Sequence, residues 1–238
     1  ALFMMRGNLP TEEELLEEIE DTLAPLKGKP AIVRLLDLGS DKHVPYLDIE
    51  DGPAPCLGRR GVRLLLENRQ LLRVQVRALL RLAATRPLQI MIPMVTTGDD
   101  VEKVRRVMEQ HAADLGLAGI PPLVAMVETP AAALCVPDIL HFADAISLGT
   151  NDLTQYTMAA GRQNPYVQEY FQDDHPAVCR LIRIAALEAS EVPVGICGEL
   201  AGQPHAVPML LDAGVRLLSV APPLVPAIGT RRSLRAFA

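Results

Sequence analysis

The stretch PLVAMVETPAAALCVPDILHFADAISLGTNDLTQ, Pro122 to Gln155, decides how the chain is read, because it alternates strand, helix and strand patterns. Leu123 to Val127 is a continuous apolar run of buried-strand length. It stops at Glu128-Thr129-Pro130, where a proline suits the first turn of a helix because its missing N–H has no intrahelical partner there. Glu128 is thereby placed at the carboxyl end of a strand. A short helix over about Ala131 to Phe142 follows. A second buried-type run, Ala145 to Leu148, then ends in Gly149-Thr150-Asn151-Asp152, with glycine to turn and Asn/Asp to begin the next helix. Asp152 falls at the equivalent place one strand over. Neighbouring parallel strands lie about 4.8 Å apart, so two carboxylates at their carboxyl ends can share one hard cation such as Mg²⁺. The same residues also have a plainer reading, Glu128 as a favourable charge at a helix N-terminus and Asp152 as an N-cap.

Composition bounds the rest. A chain of 238 residues is long enough for one sizeable core, and α/β barrels reach roughly 200–250 residues as a single domain. A net charge of −6 argues against nucleic acid or an anionic membrane as a main partner, since both require a basic face. An anionic substrate would need local arginines instead. No run approaches the ~18 apolar residues of a membrane span, and no secretory pattern opens the chain, so a soluble protein is expected. Cys56, Cys135, Cys179 and Cys197 have neither metal-ligand nor disulfide-framework spacing, which suits a reducing cytoplasm.

In chain order, Thr11 and Glu14 form a capping-box pattern that opens a helix with Leu15, Leu16 and Ile19 as its apolar stripe, ending near Lys27-Gly28. Ala31 to Leu38 reads as a strand interrupted by Arg34 and Asp37. A charge there is costly unless it faces a polar site or a partner, so Arg34 is either a ligand contact or half of an ion pair. Gly58-Arg59-Arg60-Gly61-Val62-Arg63 opens a long helical pattern running to about Ala84. Arg60 and Arg63 stand at its loop-to-helix junction, where an anion would also meet backbone N–H groups. Further strand-type runs recur at Leu88 to Val95, Val192 to Cys197 and Val215 to Val220, with helical patterns at Asp99 to Leu115, Ala177 to Ser190 and Pro204 to Ala213.

Alternation of β and α patterns throughout predicts a parallel sheet covered by helices, with six strands. No Gly-rich dinucleotide fingerprint or Walker-type motif is present, which disfavours a doubly wound nucleotide-binding fold. Arg34, Glu128, Asn151, Asp152 and Cys197 all fall at or near carboxyl strand ends, where (β/α)₈ barrels gather their active sites. Cys197 lies between glycines in Gly195-Ile196-Cys197-Gly198, open to close approach by a ligand. A thiol with an ordinary pKa near 8.5 is protonated at neutral pH and can serve as a proton donor as well as a nucleophile.

Several blocks in order, RLLDLGSDKHVPYL, LGRRGVR, IMIPMV, MVETPAAAL, SLGTNDLTQYTMAAGRQNP, HPAV and GICGELAG, resemble the C-terminal, phosphoenolpyruvate-binding domain of phosphoenolpyruvate-protein phosphotransferase, enzyme I of the bacterial sugar phosphotransferase system. The resemblance covers nearly the whole chain. It implies a (β/α)₈ barrel that binds phosphoenolpyruvate and Mg²⁺ and, in an intact enzyme, passes phosphate to a histidine of a separate domain and on to a phosphocarrier protein, leaving pyruvate. Glu128 and Asp152 match the family's metal ligands; Arg34, Arg60, Asn151 and Arg162 match its phosphoenolpyruvate contacts, Lys42 a further phosphate contact, and Cys197 the acid that protonates the enolate carbon.

The sequence departs from the family pattern at Ser40, where a glycine is usual, and at Gly161, where an aspartate before Arg162 is usual. The family's first two barrel strands, upstream of a stretch matching Leu2-Phe3-Met4-Met5, have no counterpart, so six of eight strands and an incomplete barrel over residues 1–238 are expected. Open strand edges of that kind lead to dimerisation or aggregation. Two other readings stay open: a pyruvate phosphate dikinase or phosphoenolpyruvate synthase relative, and a non-catalytic phosphoenolpyruvate-sensing dimerisation module.

Overall fold

The structure, a computed structural model, describes residues 7–38, 44, 46–47 and 55–229. These divide into two compact units. The first holds residues up to Ala125 together with Phe142–Asp144, the second Met126–His141 and the residues from Ala145 onward.

In the first unit, helix α1 (Glu12–Leu23) opens on the capping box expected from sequence. The Thr11 N–H donates to Glu14 Oε2 at 2.8 Å and the Glu14 N–H to Thr11 Oγ1 at 3.2 Å, so two orphan donors are satisfied reciprocally. Its buried Leu15, Ile19 and Leu23 pack on helix α3 (Arg69–Ala83), each contributing about 1.5–3 kcal/mol of transfer free energy. The single long helix expected to open at Gly58 to Arg63 and run to about Ala84 is two, α2 (Val62–Glu67) and α3, because Asn68 leaves helical geometry and uses its Oδ1 to cap the Leu71 N–H at 3.1 Å.

Strand β1 (Ala31–Arg34) is shorter than the expected Ala31 to Leu38. Leu35 still donates to Met91 O of strand β2 (Leu88–Val95), but the next N–H, of Leu36, donates at 2.7 Å to Oε1 of Gln75, a buried side chain of α3. Just past the strand, a helix side chain and not another strand satisfies this N–H. β2 runs parallel to β1 with Ala31 opposite Leu88 and Arg34 opposite Met91, and nearly every β2 residue is buried, as expected for a strand covered on both faces. Helix α4 (Gly98–Asp114) then leads to strand β3 (Leu123–Val127), whose start is tied by Asp144. That carboxylate accepts the Leu123 N–H at 2.8 Å and is itself held by Arg105 at 3.1 Å.

In the second unit the end of β3 is followed by helices α5 (Pro130–Ala133) and α6 (Val136–Leu140) in place of one helix. Cys135 is non-helical between them and Pro137 opens α6. Strand β4 (Ala145–Gly149), helices α7 (Thr150–Met158) and α8 (Pro176–Glu188), strand β5 (Val194–Cys197), helix α9 (Val207–Asp212) and the two-residue strand β6 (Leu217–Leu218) complete it. The strands lie side by side in chain order within each unit, β1-β2-β3 in the first and β3-β4-β5-β6 in the second. The β4–β5 and β5–β6 pairings are parallel. The six strand-type runs of the sequence are thus all strands, each followed by helix on the way to the next, in a mixed α/β arrangement. Among the described residues no helix is long and apolar enough to cross a membrane.

Candidate functional site

The carboxyl ends of β3, β4 and β5 carry the chemistry in the second unit. β3 ends at Val127, and the next residue, Glu128, is 2 % exposed, a position a carboxylate occupies only with compensation. Thr129 caps α5 by accepting the Ala132 N–H at 3.1 Å, and Pro130 fills the first turn. Capping therefore belongs to Thr129, and Glu128 is left to face the neighbouring strand end. There it lies against Gly149: a Cβ at 149 would come within 2.6 Å of Glu128 Oε2 and 2.9 Å of its Cβ. Only glycine at the end of β4 leaves room for that carboxylate.

Asp152 is not an N-cap. Gly149 holds the cap position of α7, and Asp152 stands inside the first turn, where a negative charge is favoured by the helix dipole. Glu128 and Asp152 each offer a carboxylate oxygen within 4.8 Å of the other. Two hard oxygen donors at that separation, one of them almost fully buried, fit a cation of the Mg²⁺ kind.

Cys197 ends β5 directly opposite Gly149 in the parallel register. It is partly exposed; its thiol donates to Leu148 O at 3.6 Å, and Ser147 Oγ lies 3.9 Å from the sulfur. The adjoining Gly198 has φ +107°, and a Cβ there would collide with Thr150 Oγ1 and approach Asn151 Oδ1 to 3.0 Å. Fully buried Thr150 donates to Cys197 O at 3.0 Å, fixing β5 against the start of α7. Asn151, Cys197 and Glu199 line a cleft of about 650 Å³ that also reaches Gln203 and Ser219.

Arg162 lies beyond α7, with its guanidinium on Glu199 Oε1 and its backbone N–H donating to Gln155 Oε1 at 3.0 Å. Gly161 offers Arg162 no carboxylate, and the one its guanidinium meets is that of Glu199. Thr150, Gln155 and Glu199 escaped the sequence reading. The available signals were the three-residue spacing of Gln155 from Asp152, which puts both on one face of α7, and the position of Glu199 directly after Cys197-Gly198.

In the first unit, Arg60 forms a two-point ion pair with Asp37, Nη2 to Oδ2 at 2.9 Å and Nε to Oδ1 at 3.4 Å, with both side chains largely buried. Arg34 ends β1 and is exposed. Arg63 holds its own loop, reaching Leu57 O, Gly58 O and Thr96 Oγ1 at 3.2–3.4 Å. Gly61 between them has φ +54°, and a Cβ there would come within 2.5 Å of Met94 Cβ. Lys42 and Ser40 lie outside the described residues.

The fold is similar to that of the HpcH/HpaI aldolase from Desulfitobacterium hafniense DCB-2, with a TM-score of 0.51 over 87 % of this chain and 71 % of that one at 16 % identity. At the sequence level the chain is similar to a phosphoenolpyruvate-protein phosphotransferase of Listeria monocytogenes, 40 % identical over 222 residues, and to one of Geobacillus stearothermophilus, 40 % identical over 234. A multiphosphoryl transfer protein of Rhodobacter capsulatus is 39 % identical over 229 residues. These matches take in 90–95 % of this chain but only 28–40 % of the relatives. Residues 1–236 match the family described as PEP-utilising enzyme, PEP-binding domain. With that match across its length, the chain belongs to the PEP-binding domain family of the PEP-utilising enzymes.

Proposed function

We propose that this chain is the phosphoenolpyruvate- and Mg²⁺-binding part of a phosphotransferase that passes phosphate from phosphoenolpyruvate to a protein histidine, as the first step of sugar uptake by a cytoplasmic phosphotransferase system. The observation that carries this reading is the pair Glu128 and Asp152 at neighbouring strand ends, beside Asn151 and the thiol of Cys197. Arg34, Arg60, Arg162 and Lys42 bind the phosphate and carboxylate of the substrate. Phosphoryl transfer depends on positioning and on stabilising charge more than on covalent help from the protein, and these are the residue types it requires. Mg²⁺ held by Glu128 and Asp152 would neutralise charge on the transferring oxygens. The P–O bond to the enol oxygen breaks as the histidine nitrogen takes the phosphoryl group, and the electron pair left on the substrate makes its terminal carbon basic. Cys197 gives that carbon a proton, pyruvate leaves, and the thiolate regains a proton from solvent.

The parallel strand order and the aldolase likeness support placing the six strands in a (β/α)₈ barrel, and the partners of the reading are a phosphohistidine domain, a phosphocarrier protein and a second copy of the chain. Calorimetry tests the central assignment: Mg²⁺ and phosphoenolpyruvate bind together, and Asp152→Ala weakens both by at least tenfold, on the order of one lost charged contact. Unchanged affinities in that variant would overturn the metal assignment.

A further inference from the structure

A circuit of hydrogen bonds runs through the second unit by way of two side chains that have no role in the reading above. Gln155 Nε2 donates to Asp152 Oδ1 at 3.4 Å, and Gln155 Oε1 accepts the backbone N–H of Arg162 at 3.0 Å. The Arg162 guanidinium donates to Glu199 Oε1, and the Glu199 N–H donates to Asn151 Oδ1 at 3.0 Å. Asn151 and Asp152 are consecutive, so the circuit closes on itself. We propose that Gln155 and Glu199 are positioning residues, Gln155 holding the loop that carries Arg162 and Glu199 aiming its guanidinium toward the ligands of Asn151 and Asp152.

Arg162 needs such help because nothing else described fixes it. It follows α7 by a left-handed turn at Ala159 (φ +51°), its predecessor Gly161 has no side chain, and its own side chain is 46 % exposed. A long side chain left free would lose conformational entropy on meeting an anion, whereas one already held loses little. An isolated exposed ion pair would do this weakly. Glu199, however, is anchored at its backbone by Asn151 and follows Gly198, whose conformation is fixed against Thr150. The carboxylate, 60 % exposed, is thus carried on a backbone tied to Asn151.

The inference rests on the phosphoenolpyruvate reading, and a double-mutant cycle tests it. Phosphoenolpyruvate is titrated with Mg²⁺ into the parent protein, Glu199→Ala, Arg162→Ala and the double variant. Glu199→Ala weakens binding about tenfold, while the double variant binds no more weakly than Arg162→Ala alone, because Glu199 acts through Arg162. Glu199→Gln, which keeps an acceptor and the shape, recovers part of the loss, and Gln155→Ala repeats the pattern. Additive losses would overturn the proposal. Without ligand, the Arg162 Nη2–H signal exchanges slowly with solvent in the parent and faster in Glu199→Ala. A parent that binds no phosphoenolpyruvate overturns the functional reading, and the clamp then stands or falls on that signal; exchange unaltered by Glu199→Ala overturns the clamp.

Discussion

Cys197 and Gly149 face each other across β4 and β5, and each is expected to fail in its own way. Proton donation at carbon acts on the transition state and not on ground-state binding. Cys197→Ala in a complete enzyme therefore keeps phosphoenolpyruvate affinity and loses turnover by about 10²–10⁴-fold, measured as kcat with Kd held alongside. Equal loss of both would make Cys197 a packing residue. Gly149→Ala places a methyl group against Glu128, so Mg²⁺ affinity falls by at least tenfold on calorimetric titration while Asp152 is untouched. Retained affinity would show that Glu128 can move aside. The end of β3 was legible, because an apolar run that stops at a charge is a one-dimensional signal, whereas the end of β1, expected at Leu38 and found at Arg34, was not. The roles of Thr150, Gln155 and Glu199 were not, since hydrogen bonds such as that from Thr150 Oγ1 to Cys197 O span positions far apart in the chain.

At the scale of elements, the clearest electrostatic junction is α1 on α3. Arg77 Nε meets Glu12 Oε2 at 2.6 Å and Arg81 Nη1 meets Glu12 Oε1 at 2.8 Å, with Arg81 also reaching Glu13. Burial alone would raise the Glu12 pKa, but hydrogen bonds from Arg81 and Arg77 and their charges together hold it below the ordinary carboxylate value. A depressed folded pKa adds stability that is fully present above the unfolded value of about 4.3 and disappears as pH falls through the folded one. Glu12→Gln should lower Tm by about 2–4 °C at pH 7, the shift that 1 kcal/mol gives in a chain of this size, with the gap from the parent closing below about pH 4. A gap that does not change with pH would mean that packing, not charge, is lost. Capping signals were legible here, as Thr11 and Glu14 demonstrate. The breaks at Asn68 and Cys135 were not, because periodic apolar residues continue across both while local side-chain bonding and Pro137 end the helices.

Across the whole chain, alternation announced the parallel βα order, but nothing in composition marks the division into two units, whose boundary falls within β3 between Ala125 and Met126. A continuous buried strand has no linker signature to read. Among the described residues β1 and β6 are the end strands, with Ile32 40 % and Leu217 53 % exposed, and an end strand with exposed apolar side chains invites pairing with another chain. The protein made as these 238 residues should associate with rising concentration, and Ile32→Lys should reduce it, both read by sedimentation velocity. A single monomeric boundary for the parent at every concentration would remove the edges as the cause.

Glu128 and Gly149 also constrain how the sequence can drift. A side chain at 149 and a glutamate at 128 compete for one volume, so neither position wanders without the other. Once a residue larger than glycine settles at 149, the carboxylate at 128 has no place to return to, and recovery requires two changes of which the first confers nothing. Loss at this pair is a ratchet, and descendants that have slipped past it should carry both changes together.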